Sequence, residues 1–445
     1  CKSDGRRMGE STKDRGFFLA FTIVLGLPMS LAIIQMPLIA QATQHGPRTD
    51  LQIFYYPSST ALYDALKAGE IDLMYQPLTS NQYLDAIADP KILVAPSDRL
   101  DLRAWSLNNN ETIATYPGVR SALSYVEFRK ALWRLSDKVY YRDVIFGGLA
   151  VDLPVPIASP SREWWNTSVV TYVNTNLYFS VWEANALLNA SGFAYGSTLN
   201  PYYNASVPGS ARYIRVYPPG HPFAGQNLNA TVFYARSDDV KRLSASRHLR
   251  DRMLESGIPV SFLEKTFSEI LTPVINARNY HIYSAAWSMG RLPTYLYSFF
   301  HTSMWYSNGP NYHVSLTSPP YPAMPTEIDA RVEKVMYPLS YADAVKAAKD
   351  AQYLLVEKYV NMIPLWSGKS SYAYRNLLGV CGMRGTGPEN EYTLLNAYRS
   401  DDPAKPIRAG QLTPTKLNQI YSQLYYELSS MNPFMADFMS QAPYS

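Results

Sequence analysis

Residues 127–156 read EFRKALWRLSDKVYYRDVIFGGLAVDLPVP. Phe128, Leu132, Leu135 and Val139 recur three or four positions apart, which predicts a helix with one apolar face. On that spacing Arg129, Lys130, Arg134 and Lys138 are expected to face water. Gly147 or Gly148 can adopt the left-handed conformation that stops such a helix. Pro154 and Pro156 then force an extended exit.

Similar helix–glycine–strand units lie on both sides. Over YDALKAGEIDL (63–73), Leu62, Ala65 and Leu66 share a helical face, Gly69 ends the helix, and a strand is expected over Ile71–Tyr75. Thr79 and Gln82 have the spacing of a capping box. EANALLNASGF (183–193) repeats the pattern, and LESGIPV (254–260) is a helix-to-strand turn. Ser340 and Asp343 start a helix through Ala344, Ala348, Leu355 and Tyr359, which leads into the strand Ile363–Trp366.

In this order, over roughly residues 50–380, the blocks resemble those of the family 5 extracellular solute-binding proteins. These are the receptors of peptide- and nickel-type ABC importers. The stretch at 127–156 is similar to the family's pattern of an Arg two before an Ala, a later Asp, a Gly and two prolines, which opens the second lobe. The resemblance implies an α/β fold of the periplasmic-binding-protein-like type II (cluster C), a two-lobed clamshell with a hinge and a ligand cleft between the lobes. It also implies a non-enzymatic, exported role: a monomer that needs no cofactor and hands its ligand to permease subunits.

The implied organisation is a leader over residues 1–42, a lobe I segment over 43–107, lobe II over 108–375, a return to lobe I over 376–405, and an opening lobe I segment over 406–445. The hinge crossings are expected at Trp105–Asn109 and at Tyr374–Gly379. Family members open with the segment that PIRAGQ (406–411) and LNQIYS (417–422) resemble, so it stands at the far end here. Lobe I is therefore expected to be incomplete, either because the order is permuted and the chain is a partial reading, or because that subdomain was lost.

Composition agrees with a globular protein: 47% of the 445 residues are hydrophobic and 17% charged. The net charge of +4 falls to +2 without residues 1–42, which hold five Lys/Arg and three Asp/Glu. No basic cluster remains to track a phosphate backbone, which excludes nucleic acid as an expected partner. Arg6, Arg7, Lys13 and Arg15 precede the apolar run 16–39, which ends near Ala40-Gln41-Ala42. This is a secretory signal, or a membrane anchor if retained, and it places the protein outside the cell or on its surface. Cys381 is the one cysteine beyond the leader, so no disulfide is expected after cleavage. Asn110, Asn166, Asn189, Asn204 and Asn229 each begin an Asn-x-Ser/Thr sequon and are expected in solvent-facing loops as glycosylation candidates.

For the ligand, the strand Ile282–Gly290 is the informative segment. Peptide-binding relatives end it in Trp followed three residues later by an Asp for the peptide ammonium, and some carry a basic residue three before the Trp. Here Trp287 is present, but Gly290 and Ser284 stand at the two charged places. A buried ammonium without a carboxylate costs several kcal/mol, so an uncharged ligand, an oligosaccharide above all, is expected. The candidate ligand residues are Trp287, Ser288, Gly290, Trp305 and Asn308, with Trp105, Asn108 and Trp366 near the crossings. An oligopeptide receptor binding through backbone contacts, or a surface or sensory protein without transport, are the alternatives. The six histidines show no paired spacing for a metal, and no nucleophile elbow or phosphate loop suggests catalysis.

Overall fold

The computed structural model describes residues 52–306, 309–311, 323–378, 380, 388, 393 and 397–399. The expected leader, Asn308, Cys381 and the segment 406–445 lie outside the described residues.

Among the described residues, nine strands of three residues or more organise the fold: β1 (Leu93–Asp98), β2 (Asp101–Leu107), β3 (Ala150–Asp152), β4 (Tyr195–Leu199), β5 (Tyr213–Arg215), β6 (Thr231–Arg236), β7 (Val260–Lys265), β8 (Ile282–Ser288) and β9 (Met362–Tyr374). One sheet runs β1-β9-β2-β8-β6-β7, with β3 also paired to β9, and β4 and β5 form a separate pair. β6 pairs parallel with β7 and β8, while β2 is antiparallel to both its neighbours. Six of the seven residues of β2 are buried, because helices and loops cover both faces of a central strand.

The β6–β7 connection is the helix Val240–Glu255, the crossover a parallel pair requires. It ends at Gly257, whose φ of +76° and close approach to the Tyr213 carbonyl leave no room for a Cβ. The strand expected over Ile71–Tyr75 is reduced to a single bridge between Leu73 and Tyr374, while three caps and stops form as expected. Thr79 and Gln82 form the capping box, Ser340 caps the helix Tyr341–Gln352, and both Gly147 and Gly148 have positive φ.

The helix Val126–Arg134 buries Phe128 and Leu132 as expected. Arg129 differs from expectation. It is fully buried, and its guanidinium donates to the carbonyls of Leu123, Tyr359 and Val360. A planar fork of donors satisfies a cluster of carbonyls that no helix or strand bond reaches, so the cation faces inward. Val139, assigned to the apolar face, is instead 55% exposed, because the helix stops at Arg134 and a new turn starts at Lys138.

Two of the apolar clusters among the described residues bear on the site: a large core, which includes Leu102, Trp105, Phe128, Phe233 and Trp366, and a small one of Tyr63, Leu66, Met74, Leu78, Ala86, Ile92 and Ala373. β9 takes part in both: Met362–Trp366 pair with β2, and Lys369–Tyr374 pair with β1. The change of cluster falls between Val94 and Leu102 on one pass and between Trp366 and Ala373 on the other. Both precede, along the chain, the crossings expected at Trp105–Asn109 and Tyr374–Gly379. The reason is that β2, assigned to the first lobe's segment, is bonded along its whole length to β8 and packs in the large core.

Candidate functional site

Where the chain changes cluster, β1 and β9 bring Asp98 and Lys369 opposite each other. A cavity of about 370 Å³ opens beside them, lined by Asp98, Arg142, Ala150, Val151, Asp152, Arg162 and Lys369. Its position follows from the 127–156 stretch: the glycine stop at Gly147-Gly148 turns the chain into β3, which pairs with Trp366–Gly368 and sets Asp152 in the wall.

The charges are unequally matched. Arg142 forms a two-pronged pair with Asp143 (2.6 and 2.7 Å) and reaches Asp152 Oδ2 at 2.8 Å. Asp98 Oδ2 accepts from the Ser159 hydroxyl at 3.2 Å. Arg162 lies over the Trp165 ring at 5.4 Å. Neither Arg162 nor Lys369 has a carboxylate within 4 Å among the described residues. Three cations against two carboxylates leave the lining with one net positive charge.

Beneath the cavity, the Lys138 ammonium donates to the Leu153 carbonyl at 2.8 Å and sits 4.5 Å from the Trp133 ring. Desolvation pushes its pKa down to about 7, against the pull of Asp152. Burial also pushes the Asp152 carboxyl up, opposed by Arg142 and Lys138. Asp152 Oδ1 is buried with no hydrogen-bond partner. The arrangement can hold an anionic group between Arg162 and Lys369 and a donor group at Asp98 or Asp152.

The residues singled out from sequence are divided by the fold. Trp105 and Trp366 do come together, but inside the large core, where each ring packs against Tyr141 at centroid distances of 6.3 and 5.7 Å. Trp105 Nε1 donates to Ser136. Asn108 is fully buried and bonds the carbonyls of Arg278 and Tyr280. These three are core residues, because central strands bury both faces and the polar atoms are satisfied internally. Trp287 is half-buried with its ring 4.7 Å from that of Phe299. Trp305 stands over the Arg278 guanidinium at 5.3 Å. Ser288 and Gly290 are exposed at the end of β8, where Ser288 pairs with Asp101 and the Arg291 carbonyl accepts from Ser161, next to Arg162. That strand end therefore arrives at the cluster change. Ser284 is buried, its hydroxyl accepting from the Arg236 amide.

Asp98, Arg142, Asp152, Arg162 and Lys369 were missed. Their one sequence signal was that Arg142 and Asp152 fall within the diagnostic 127–156 stretch. Among the sequons, Asn189 and Asn204 are exposed, whereas Asn110, Asn166 and Asn229 are half-buried. Asn166 caps the helix Thr167–Asn176 and donates to the Lys349 carbonyl. Asn229 and the buried Thr231 of its sequon line a second cavity with His281, with room for about one water. Among the described residues no helix is long and apolar enough to cross a membrane, and no group of three metal-ligating side chains is gathered.

The sequence model of the bacterial extracellular solute-binding proteins, family 5 (middle), matches residues 49–307. The chain belongs to that family. No curated protein matches it. Among solved structures, NikA from Brucella suis in complex with Fe(III)-EDTA is 20% identical, with a TM-score of 0.50 over 73% of this chain and 57% of that one. The ABC transporter substrate binding protein CtaP from Listeria monocytogenes is 15% identical, with a TM-score of 0.54 over 78% and 59%. DppA from Helicobacter pylori, an ABC transporter-associated periplasmic binding protein in complex with the peptide STSA, is 17% identical, with a TM-score of 0.50 over 78% and 56%. These likenesses establish the α/β fold of the family 5 solute-binding proteins. The chain spans less than two thirds of the length of each of these relatives.

Proposed function

We propose that this family 5 protein is the exported solute receptor of an ABC importer, and that its ligand is a small solute bearing a carboxylate. The observation that carries the reading is the cavity at the cluster change, where Arg162 and Lys369 lack carboxylate partners and Asp98 lies opposite Lys369. About 370 Å³ is at the small end of the range for ligand pockets and suits a compact solute. A carboxylate would bond Lys369 and Arg162, and an ammonium or hydroxyl on the same molecule would donate to Asp98. The ligand would touch strands from both apolar clusters, so its binding would favour one arrangement of the two over others. Binding and release to a permease, with no reaction, complete the role. Fe(III)-EDTA on NikA and a peptide on DppA are both carboxylate-bearing ligands, which is in keeping with it.

The neutral oligosaccharide expected from the Trp287 strand is the second reading. It is favoured by the exposed Ser288 and Gly290 at the strand end, and weakened by Trp287 being half-buried against Phe299. Thermal unfolding against free dipeptides, C-terminally amidated dipeptides and neutral oligosaccharides separates the two. A ligand at 100 times its Kd adds about 2.7 kcal/mol. Stabilisation by free dipeptides, reduced by amidation and by Lys369→Ala, is the expected result. Stabilisation by oligosaccharides alone would overturn the charged reading.

A further inference from the structure

The loop that follows β4 presents its Asn-x-Ser sequon in a form unlike the other four. Residues 201–209 run over the start of the helix Val181–Ala190. The Asn185 side chain donates there to the Gly209 carbonyl, and a Cβ on Gly209 would meet the Trp182 backbone at 2.9 Å. Asn204 opens a turn: its carbonyl accepts the Val207 amide at 3.0 Å, and its side-chain Oδ1 accepts the Ser206 amide at 3.0 Å. Its own backbone N–H donates to the Ser210 hydroxyl at 2.9 Å, which fixes the chain on both sides of the side chain. Asn204, Ala205 and Ser206 are all exposed, and the Asn204 Nδ2 has no partner among the described residues. Accepting a hydrogen bond at Oδ1 polarises the side-chain amide and makes the free N–H more acidic.

The other four sequons are bonded or covered. Asn166 makes the same Oδ1 turn with Ser168 at 3.1 Å, but it is half-buried and its Nδ2 donates to the Lys349 carbonyl at 2.9 Å. Asn189 lies in the last turn of a helix, where its Oδ1 accepts from the buried Arg215 guanidinium at 2.8 Å. The Ser191 hydroxyl of that sequon is bonded to the Leu187 carbonyl. Thr231 of the Asn229 sequon is 4% exposed within β6. Asn110 is half-buried, its backbone N–H bonded to Asn108 Oδ1.

We propose that Asn204 is the residue at which the folded, exported protein accepts an N-linked glycan. The donor is an oligosaccharide carried on a polyprenyl pyrophosphate. Nδ2 attacks the anomeric carbon and the bond from that carbon to the pyrophosphate oxygen breaks. The pyrophosphate leaves with the electron pair, and the Nδ2 proton passes to a base on the transferase. A bulky, solvated glycan requires that this face stay open to water in the working receptor. The inference rests on the exported location proposed above but on no residue of the cavity, so dipeptide binding and glycan transfer can fail separately.

The test presents the folded full chain to a purified single-subunit oligosaccharyltransferase with its lipid-linked oligosaccharide, after that enzyme has been shown to modify synthetic peptides of all five sequons. Glycopeptide mapping by mass spectrometry is expected to find Asn204 occupied about tenfold or more above every other sequon. Asn204→Gln and Ser206→Ala should each abolish the modification, and Ser206→Thr should keep it, because the sequon needs the hydroxyl. Equal occupancy of any other sequon in the folded chain, or an unmodified Asn204 under conditions that modify its peptide, would overturn the proposal.

Discussion

Asp101 Oδ1 accepts the backbone N–H of Gly368 at 2.7 Å, at the point where β9 passes from β2 to β1. The same carboxylate accepts from the Ser367 hydroxyl at 3.0 Å and from Arg103 at 2.6 Å, and the residue is 2% exposed. One side chain thus ties together the two passes of the chain between the apolar clusters. Asp101→Asn replaces an acceptor with a donor facing Arg103. It should cost about 2 kcal/mol, read as a lowered urea midpoint.

Arg129 holds carbonyls from both ends of the fold, Leu123 nearby and Tyr359 some 230 positions further along. Arg129→Met leaves those carbonyls buried without donors and should cost about 3 kcal/mol. Arg129→Lys should recover only part of this, since an ammonium cannot reproduce the planar fork.

His281 is buried, its Nδ1 accepts the Val232 amide at 2.9 Å, and desolvation pushes its pKa down to about 4. Unfolded histidine binds its proton near pH 6.5. Between those values the unfolded state holds more protons, so stability falls as pH drops from about 6.5 to 4. The loss should be of the order of 3 kcal/mol. His281→Gln should flatten this acid limb in denaturant titrations at stepped pH.

Lys138 has the same sign at higher pH. Its proton leaves near pH 7 in the folded protein and near 10.5 in the unfolded chain, so stability rises with pH across that window. Lys138→Met removes the desolvated charge. Any gain in Tm over the parent should be greatest at pH 6 and shrink toward pH 10.

Lys369→Glu reverses the charge of the cavity wall without entering either core. A carboxylate-bearing solute should lose at least tenfold in affinity by calorimetry, with the Tm of the unliganded protein nearly unchanged. A neutral solute bound at this cavity should show a much smaller change.

The elements set by short-range signals were legible before the fold. The Thr79–Gln82 box, the Gly147-Gly148 stop and the β9 strand at Ile363–Trp366 each depend on residues a few positions apart. Arg129 was misread because helical spacing describes a helix face without saying what packs over it. Trp105 and Trp366 were misread for a related reason: an aromatic near an expected crossing suits a ligand wall and a core equally well, and burial by Tyr141 and Phe146 makes them core.

The sequence by itself determined the α/β character, the order of the helix–strand units and the family, since caps, glycine stops and apolar periods are properties of neighbouring residues. Only the tertiary structure decided the site. Asp98 meets Lys369 through the register of β1 on β9, and Asp152 joins them through β3. Such registers depend on how whole strands bury their faces together, and no local pattern around Asp98, Asp152 or Lys369 encodes it.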